Sequence, residues 1–345
     1  MRPTNLQETF SALSTPRINA YKVFFGSTLC DDQIFGCYQW NEALSHSMFK
    51  LISLIEIIMR NRMHSALSVR YFNQQKKVVE NFKDRQWTKS ASATIGHQSS
   101  CNWYNSEINN SFILNKKGLN NIHSVTHHGR NGRPLAGSRS PSADDVVSSL
   151  TFGFWSSLVE KCPDIDWPNT LSQIYPNHRV SKSNQWNSNI EQTKLSYRLE
   201  LIRNFRNRVA HHEPIWKLGN LLSEQPPMSN GQLNTHGSRT ILDSSPSTPK
   251  QSIRRLRSIY SRHTELLRWM SQEIYDDYNN SSLHKQILWL CSEDGLEAHL
   301  NRATEDFPSL KTAKFKRELS SIIKTKKSAY LFKNGRNLLA VHHIA

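Results

Sequence analysis

The 345-residue chain carries 44 Lys plus Arg against 28 Asp plus Glu, a formal net charge of +16, with 37% hydrophobic residues. Such an excess favours a polyanionic partner, nucleic acid first, because each neutralised phosphate releases counterions; a solubilising surface is the plainer alternative. The composition excludes much else: there is no signal-peptide pattern, the most apolar run (MFKLISLIEIIM, Met48–Met59) is too short for the ~20 residues a bilayer takes, and five scattered cysteines without C-x-x-C fit neither a disulfide framework nor a zinc cage. A soluble, cytoplasmic protein with no membrane contact is expected.

In chain order, residues 1–26 read as a loose lead. From Cys37 to Phe72 apolar residues occupy nearly every helical face with no glycine or proline, so this helix belongs in the centre of a bundle. Glu56 sits in its most apolar part. A lone buried carboxylate is costly, so a pair with Arg60 at i+4 is expected, as a structural ion pair first and as a buttress for the arginines of a later helix second. Asn61 follows Arg60 and repeats the Arg-Asn step found at 206–207.

Residues 73–140 form a polar insertion, with one or two short helices joined by long loops. Helical patterning resumes in SADDVVSSLTFGFWSSLVEKC (Ser142–Cys162), with Asp144 and Asp145 where helix starts favour acids. The rings of FGFW (Phe152–Trp155) could stack on bases, but in an apolar helix they read as core. A connection with three prolines leads to a helix over Ile190–Ala210, which stops at HHEP because the residue before proline avoids helical geometry. Residues 219–250, rich in Ser, Pro, Asn and Gly, read as a mobile loop.

Helices return from Gln251 to about Tyr278 and in LHKQILWL. An apolar stripe along Ser252–Met270 leaves Arg254, Arg255 and Arg257 on a solvent face, as candidate RNA-binding residues tracking phosphates. The tail is Lys-rich from about 309 to 337. Strand signals are few, so the fold class is all-α.

The richest stretch is RNFRNRVAHHEPIW, Arg203–Trp216. Leu199, Ile202, Phe205 and Val209 recur at three- and four-residue steps and face a core, while Arg203, Asn207 and His211, at i, i+4 and i+8, share another face. Arg206 lies about 140° round the helix from His211. The two converge only if the helix loosens near Pro214 or if a second subunit supplies one of them. Chemically the set suits phosphodiester cleavage: imidazole takes and returns a proton near neutrality, a guanidinium fork meets the charge building on phosphate oxygens, an amide holds the phosphate, and the 2'-hydroxyl of RNA is the natural nucleophile. The paired histidines at 127–128, 211–212 and 342–343 diverge by about 100° on a helix and lack H-E-x-x-H spacing, so no metal site is expected.

At these residues the chain resembles the Abi-like proteins of bacterial abortive-infection systems (AbiD/AbiF type), a family of the HEPN superfamily. Arg206 and His211, with four residues between them, match its Arg-polar-His signature. Tyr38–His64, Leu150–Cys162 and Ile202–Trp216 resemble the family in the same order, over roughly residues 15–290. The resemblance implies a HEPN-like helical bundle over 27–300, with long polar insertions at 73–140 and 219–250 and a basic extension at 301–345.

It also implies a cofactor-free, metal-independent endoribonuclease acting in phage defence or as a toxin. Such enzymes are typically dimeric, with the two motif helices facing across a cleft. Arg206 would stabilise the phosphate, Asn207 would orient it and His211 would act as acid or base, supported by Arg203, His212, Glu56, Arg60 and Asn61. The insertions and the lysine-rich tail depart from the compact family pattern and leave open the RNA target and any antitoxin or regulatory partner. Some HEPN domains bind RNA without cutting, so a non-catalytic RNA-binding or sensing module stands as the alternative.

Overall fold

The spine of the molecule is a single 52-residue helix, Asp31–Phe82. In this computed structural model, residues 3–26, 28–82, 96–104, 113–128, 132–133, 135, 140–234, 236–304, 309–324, 329–333 and 336–341 are described. Two short helices, α1 (Leu6–Leu13) and α2 (Thr15–Phe25), precede the long helix, which is α3. Asp31 and Asp32 sit in its first turn, where carboxylates offset the unpaired N–H groups, so it begins six residues before the apolar run at Cys37. Trp40, Leu44, Met48, Leu51, Ile55, Met59, Met63 and Leu67 are all buried at three- and four-residue steps. Each such side chain contributes ~1.5–3 kcal/mol on burial, which makes α3 the element the others pack upon.

Within the stretch expected to be a loose lead, residues 3–26 are folded onto the bundle. Phe10, Ile18 and Tyr21 are buried, and Asn5 caps α1 by accepting from the Glu8 N–H. After α3 come a small hairpin, β1 (Gly96–His97) with β2 (Ser100–Cys101), and the helices α4 (Lys116–Thr126), α5 (Ala143–Ser149) and α6 (Phe152–Lys161). Ser142 and Asp145 form a reciprocal capping box at the start of α5. The helical run expected over Ser142–Cys162 is split at Leu150–Thr151. Phe152, Phe154 and Trp155 are buried, which bears out the core reading of FGFW.

The proline-bearing connection contains a helix of its own, α7 (Trp167–Ile174), since Pro168 falls in the first turn, where no N–H is needed. The one-turn α8 (Arg179–Lys182) leads to α9 (Asn189–Ala210). Residues 219–250 are likewise no free loop. They fold into β3 (Leu221–Leu222) paired with β6 (Ile241–Asp243), enclosing a hairpin of β4 (Met228–Ser229) and β5 (Gln232–Leu233). Ion pairs clasp this arm to the bundle: Arg198 to Glu224 at 2.6 Å and Arg239 to Glu200 at 2.6 Å.

The chain continues through α10 (Pro249–Met270), α11 (Gln272–Asn280), α12 (Ser282–Leu290) and α13 (Glu293–Thr304). Helix α13 packs on α3 at Gly36, where a Cβ would come 2.4 Å from the His299 carbonyl oxygen. Trp40 donates its indole N–H to the Leu290 carbonyl at 2.8 Å, tying α12 to the same region. The C-terminal extension holds strands that the sequence pattern does not announce: β7 (Ser309–Lys311), α14 (Thr312–Lys324), β8 (Ala329–Lys333) and β9 (Arg336–Val341). β7 runs parallel to β8 and β8 antiparallel to β9, with α14 as the crossover. Lys326, Lys327 and the pair His342–His343 lie outside the described residues, as does much of 73–140. The fold is mostly helical, and no helix among the described residues is long and apolar enough to cross a membrane.

Candidate functional site

Helix α9 carries the Arg/Asn/His set, and its faces are sorted by what the fold needs. Leu195, Leu199, Ile202, Phe205 and Val209 are buried along one stripe. The helix then stops in a two-bond C-terminal cap: Glu213 N–H donates to Arg208 O at 2.9 Å and His212 N–H to Val209 O at 3.1 Å. His212 takes the left-handed position of this motif, φ 53°, which glycine usually fills. Pro214 and the segment after it lock the stop. Ile215 N–H donates to the buried Asn41 amide oxygen at 2.9 Å. Trp216 is packed among Tyr21, Phe24 and Phe25 of α2, and Arg17 donates to the His212 carbonyl at 2.9 Å. The N-terminal helices thus brace the very end of the motif.

Within that frame Arg206 and His211 have little structural employment. Arg206 Nε lies 3.9 Å from Glu56 Oε2 and has no hydrogen-bond partner. Glu56 therefore faces Arg206 and not Arg60, whose Nη1 is drawn across to the Ser148 carbonyl at 3.4 Å, at the end of α5. The i+4 pairing expected within α3 is lost because both side chains find partners on neighbouring helices. Asn61 is exposed. His211 and His212 are exposed too, and among the described residues the His211 ring makes no hydrogen bond or ion pair. The His211 N–H still donates to Asn207 O at 2.9 Å, so α9 does not loosen before it. Arg206 and His211 therefore leave the helix about 140° apart. The loosening of the helix that would bring them together within one chain is absent, since this last turn stays regular.

Arg203 and Asn207 come together on the far flank, lining an open cleft of about 510 Å³ between α4, α6 and α9. Lys117, Asn121, Ser157 and Lys161 line it as well. Neither lysine stands out in the sequence, where each sits among ordinary surface residues with no periodic signal.

Of the three arginines expected on the solvent face of α10, Arg255 is buried. Arg255 is 1% exposed and is consumed by the fold, donating to the Gly219, Asp243 and Ser244 carbonyls and to the Asp243 carboxylate. Arg257 donates through Nε to the Cys291 carbonyl. Arg254 is exposed but paired with Asp243 at 3.2 Å. Arg254 and Arg255 thus fasten the β3–β6 arm through Asp243, and Arg257 ties the end of α12 to α10; Arg254 and Arg257 stay exposed, and only Arg255 leaves the solvent face. Arg198, on the motif helix itself, is another fastener. It is 5% exposed, forks onto Glu224, reaches Glu265 at 2.8 Å and stacks 4.6 Å from the Trp269 ring.

A Ser-His-Asp set, with His64 buried and Asp144 exposed, also lies beside the β1–β2 hairpin. Trp103 donates its indole N–H to His64 Nδ1 at 3.0 Å, which leaves the ring proton on Nε2. Nε2 then donates to Ser100 Oγ at 3.0 Å, and Ser100 donates to Asp144 at 2.7 Å. Burial pushes the His64 pKa down, with Asp144 opposing. The donors run the wrong way for His64 to take a proton from Ser100. The chain instead pins the hairpin and α5 to α3.

Among the described residues no three His, Cys, Asp or Glu side chains gather where a metal ion could be held. All five cysteines are free thiols, four of them buried.

In comparisons with known proteins, the family model described as Abi-like protein matches residues 9–217, from within α1 to just past Trp216. This span begins earlier and ends sooner than the resemblance over 15–290, leaving the β3–β6 arm and everything after it outside. No curated protein and no solved structure matches the chain.

Proposed function

The chain belongs to the Abi-like protein family, which points to abortive infection and phage defence; on that premise we propose that it is an endoribonuclease of the HEPN type, acting as a dimer. One observation carries this reading. On α9 the fold consumes Arg198 and clasps Arg208 to Pro214 O and Glu213, yet leaves Arg206, Asn207 and His211 at or near the surface without a hydrogen-bonded side-chain partner among the described residues. Groups that stability does not need are available for a ligand.

The chemistry follows from the residue types. His211 accepts the proton of a ribose 2'-hydroxyl, whose oxygen attacks the adjacent phosphorus. Arg206 meets the negative charge that grows on the phosphoryl oxygens, and Asn207 donates from its amide to hold them. The bond from phosphorus to the 5'-oxygen breaks, that oxygen takes a proton from imidazolium, and the products carry a 2',3'-cyclic phosphate and a 5'-hydroxyl. No step in this scheme calls for a metal. Because Arg206 and His211 diverge within one chain, the two are united across a two-fold axis. The face of α3 beside Glu56 supports such an interface: Phe49 is 43% and Ile57 48% exposed, with Leu54 and Ile58 only partly covered.

The test is cleavage of single-stranded RNA by the purified protein in chelator, with 2'-deoxy substitution as the chemical control. His211→Ala and Arg206→Ala should each lower the rate by ~10²–10³. Full activity in both variants ends the proposal. The net charge of +16 favours a second reading, a binding module without catalysis. That module would hold RNA and its 2'-deoxy analogue alike, cut neither, and be indifferent to His211→Ala.

A further inference from the structure

The cleft between α4, α6 and α9 collects three cations from three separate helices: Lys117, Lys161 and Arg203. Among the described residues no carboxylate lines it. Arg203 and Lys117 have no ion-pair or hydrogen-bond partner among the described residues, and Lys161 is paired with its neighbour Glu160 at 2.7 Å. Two cations without a counter-charge, beside a third that shares one, leave this pocket positive and open to an anion from outside. Around them stand neutral donors, the amides of Asn121 and Asn207 and the hydroxyl of Thr151. Thr151 is the N-cap of α6 and makes no side-chain cap, so the first N–H groups of that helix add to the positive potential at the mouth.

We infer that this cleft is a phosphate-binding channel for a single nucleic-acid strand, carrying the nucleotides next to the bond at His211. The inference rests on the ribonuclease reading for its place in a reaction, though not for its chemistry. Arg203, Asn207 and His211 follow one another along α9 at steps of four residues, ~6 Å each. That step is close to the separation of successive phosphates in an extended strand. A backbone lying along this line puts one phosphate at Arg203 between Lys117 and Lys161 and another at Asn207. A lone carboxylate ligand would leave most of the charge unanswered, whereas a strand presents an anion at each step.

The experiment measures binding of a short fluorescent single-stranded deoxy-oligonucleotide, which lacks the 2'-hydroxyl and so cannot be cut by the proposed route. The double variant Lys117→Gln/Lys161→Gln should weaken binding roughly tenfold and reduce the salt slope by about one for each phosphate left without its cation. Arg203→Gln should act in the same direction. Lys285→Gln, removing the same charge from exposed α12, should leave affinity unchanged.

Undiminished affinity in the double variant overturns the assignment, as does an equal loss in Lys285→Gln, which would mean net charge alone. A parallel titration with a nucleoside monophosphate separates the other source of phosphate: if the double variant loses the mononucleotide but keeps the oligonucleotide, the cleft is a small-molecule site and the strand reading fails. Salt-dependent oligonucleotide binding that needs the lysines, in a protein that never cleaves RNA, removes the nuclease and leaves the channel standing.

Discussion

Two arginines eight residues apart on α9 should behave as opposites when truncated. Arg198 is 5% exposed and makes charge-assisted hydrogen bonds of 2.6 and 2.9 Å to Glu224 and 2.8 Å to Glu265, with a further bond to the Arg262 carbonyl and a stack on Trp269. Arg198→Ala takes from Glu224 and Glu265 their nearest cation, leaving each a weaker arginine contact at 3.6 Å, and removes one of the clasps on the β3–β6 arm. Breaking a buried pair of this kind costs ~3–5 kcal/mol, a large part of the ~5–15 kcal/mol that holds a typical domain together. Arg206 has one ionic neighbour, at 3.9 Å without a hydrogen bond, and its side chain is 30% exposed. Solvent screens such a pair to ~0–1 kcal/mol, so Arg206→Ala should cost about 1 kcal/mol once its stem is included.

Urea unfolding followed by fluorescence separates the two, and RNA cleavage is assayed on the same preparations. Arg206→Ala should unfold near the parent's midpoint and still show the ~10²–10³ loss of rate, while Arg198→Ala should lose stability first. A loss of 3 kcal/mol or more at Arg206, or a neutral Arg198→Ala, would refute the idea that the fold releases one arginine for chemistry and spends the other on architecture.

Three further outcomes are expected. His212→Gly should leave stability equal or up to about 1 kcal/mol higher, because glycine relieves the ~1–2 kcal/mol cost of a left-handed L-residue and returns part of it as unfolded-state entropy. A drop beyond 1 kcal/mol in thermal denaturation would mean the imidazole itself holds the cap.

Acid should weaken the fold through His178 and His263, whose pKa values are pushed down to about 4, mainly by burial. The unfolded chain binds these protons near pH 6.5 and the native state does not. Stability is therefore complete above that pH and falls as pH drops from 6.5 towards 4, by up to ~3 kcal/mol per group. Replacing either with a residue of similar shape should flatten that window; an unchanged slope between pH 4 and 6.5 would contradict it. Ile57→Asp, on the exposed apolar face of α3, should convert a dimer to a monomer in sedimentation and abolish cleavage, and a variant that stays dimeric would place the interface elsewhere.

Much of the fold was legible in the sequence because helices are encoded locally. The unbroken apolar run after Cys37 marked α3, the three- and four-residue steps of Leu199, Ile202, Phe205 and Val209 marked the buried stripe of α9, and Asp144 and Asp145 marked the start of α5. The errors share a cause. Residues 219–250 read as a mobile loop because their composition is polar, yet Glu224 and Asp243 meet arginines far along the chain. Arg255 read as solvent-facing because its burial is imposed by that arm, and no pattern around position 255 announces it. Glu56 has its nearest cation in sequence at Arg60, whereas the one it faces, Arg206, lies on another helix.

The same division holds for the candidate site. By itself the sequence determined the helical class, the family and the Arg206–Asn207–His211 set, since side-chain type and helical period are properties of a short stretch. Only the tertiary structure decided which arginines are spent, that α9 stays regular up to His211, and that Lys117 and Lys161 stand opposite Arg203. Those facts depend on which distant segments are brought within a few ångströms, and the energies that choose among such encounters come from burial and pairing between residues that share no local pattern.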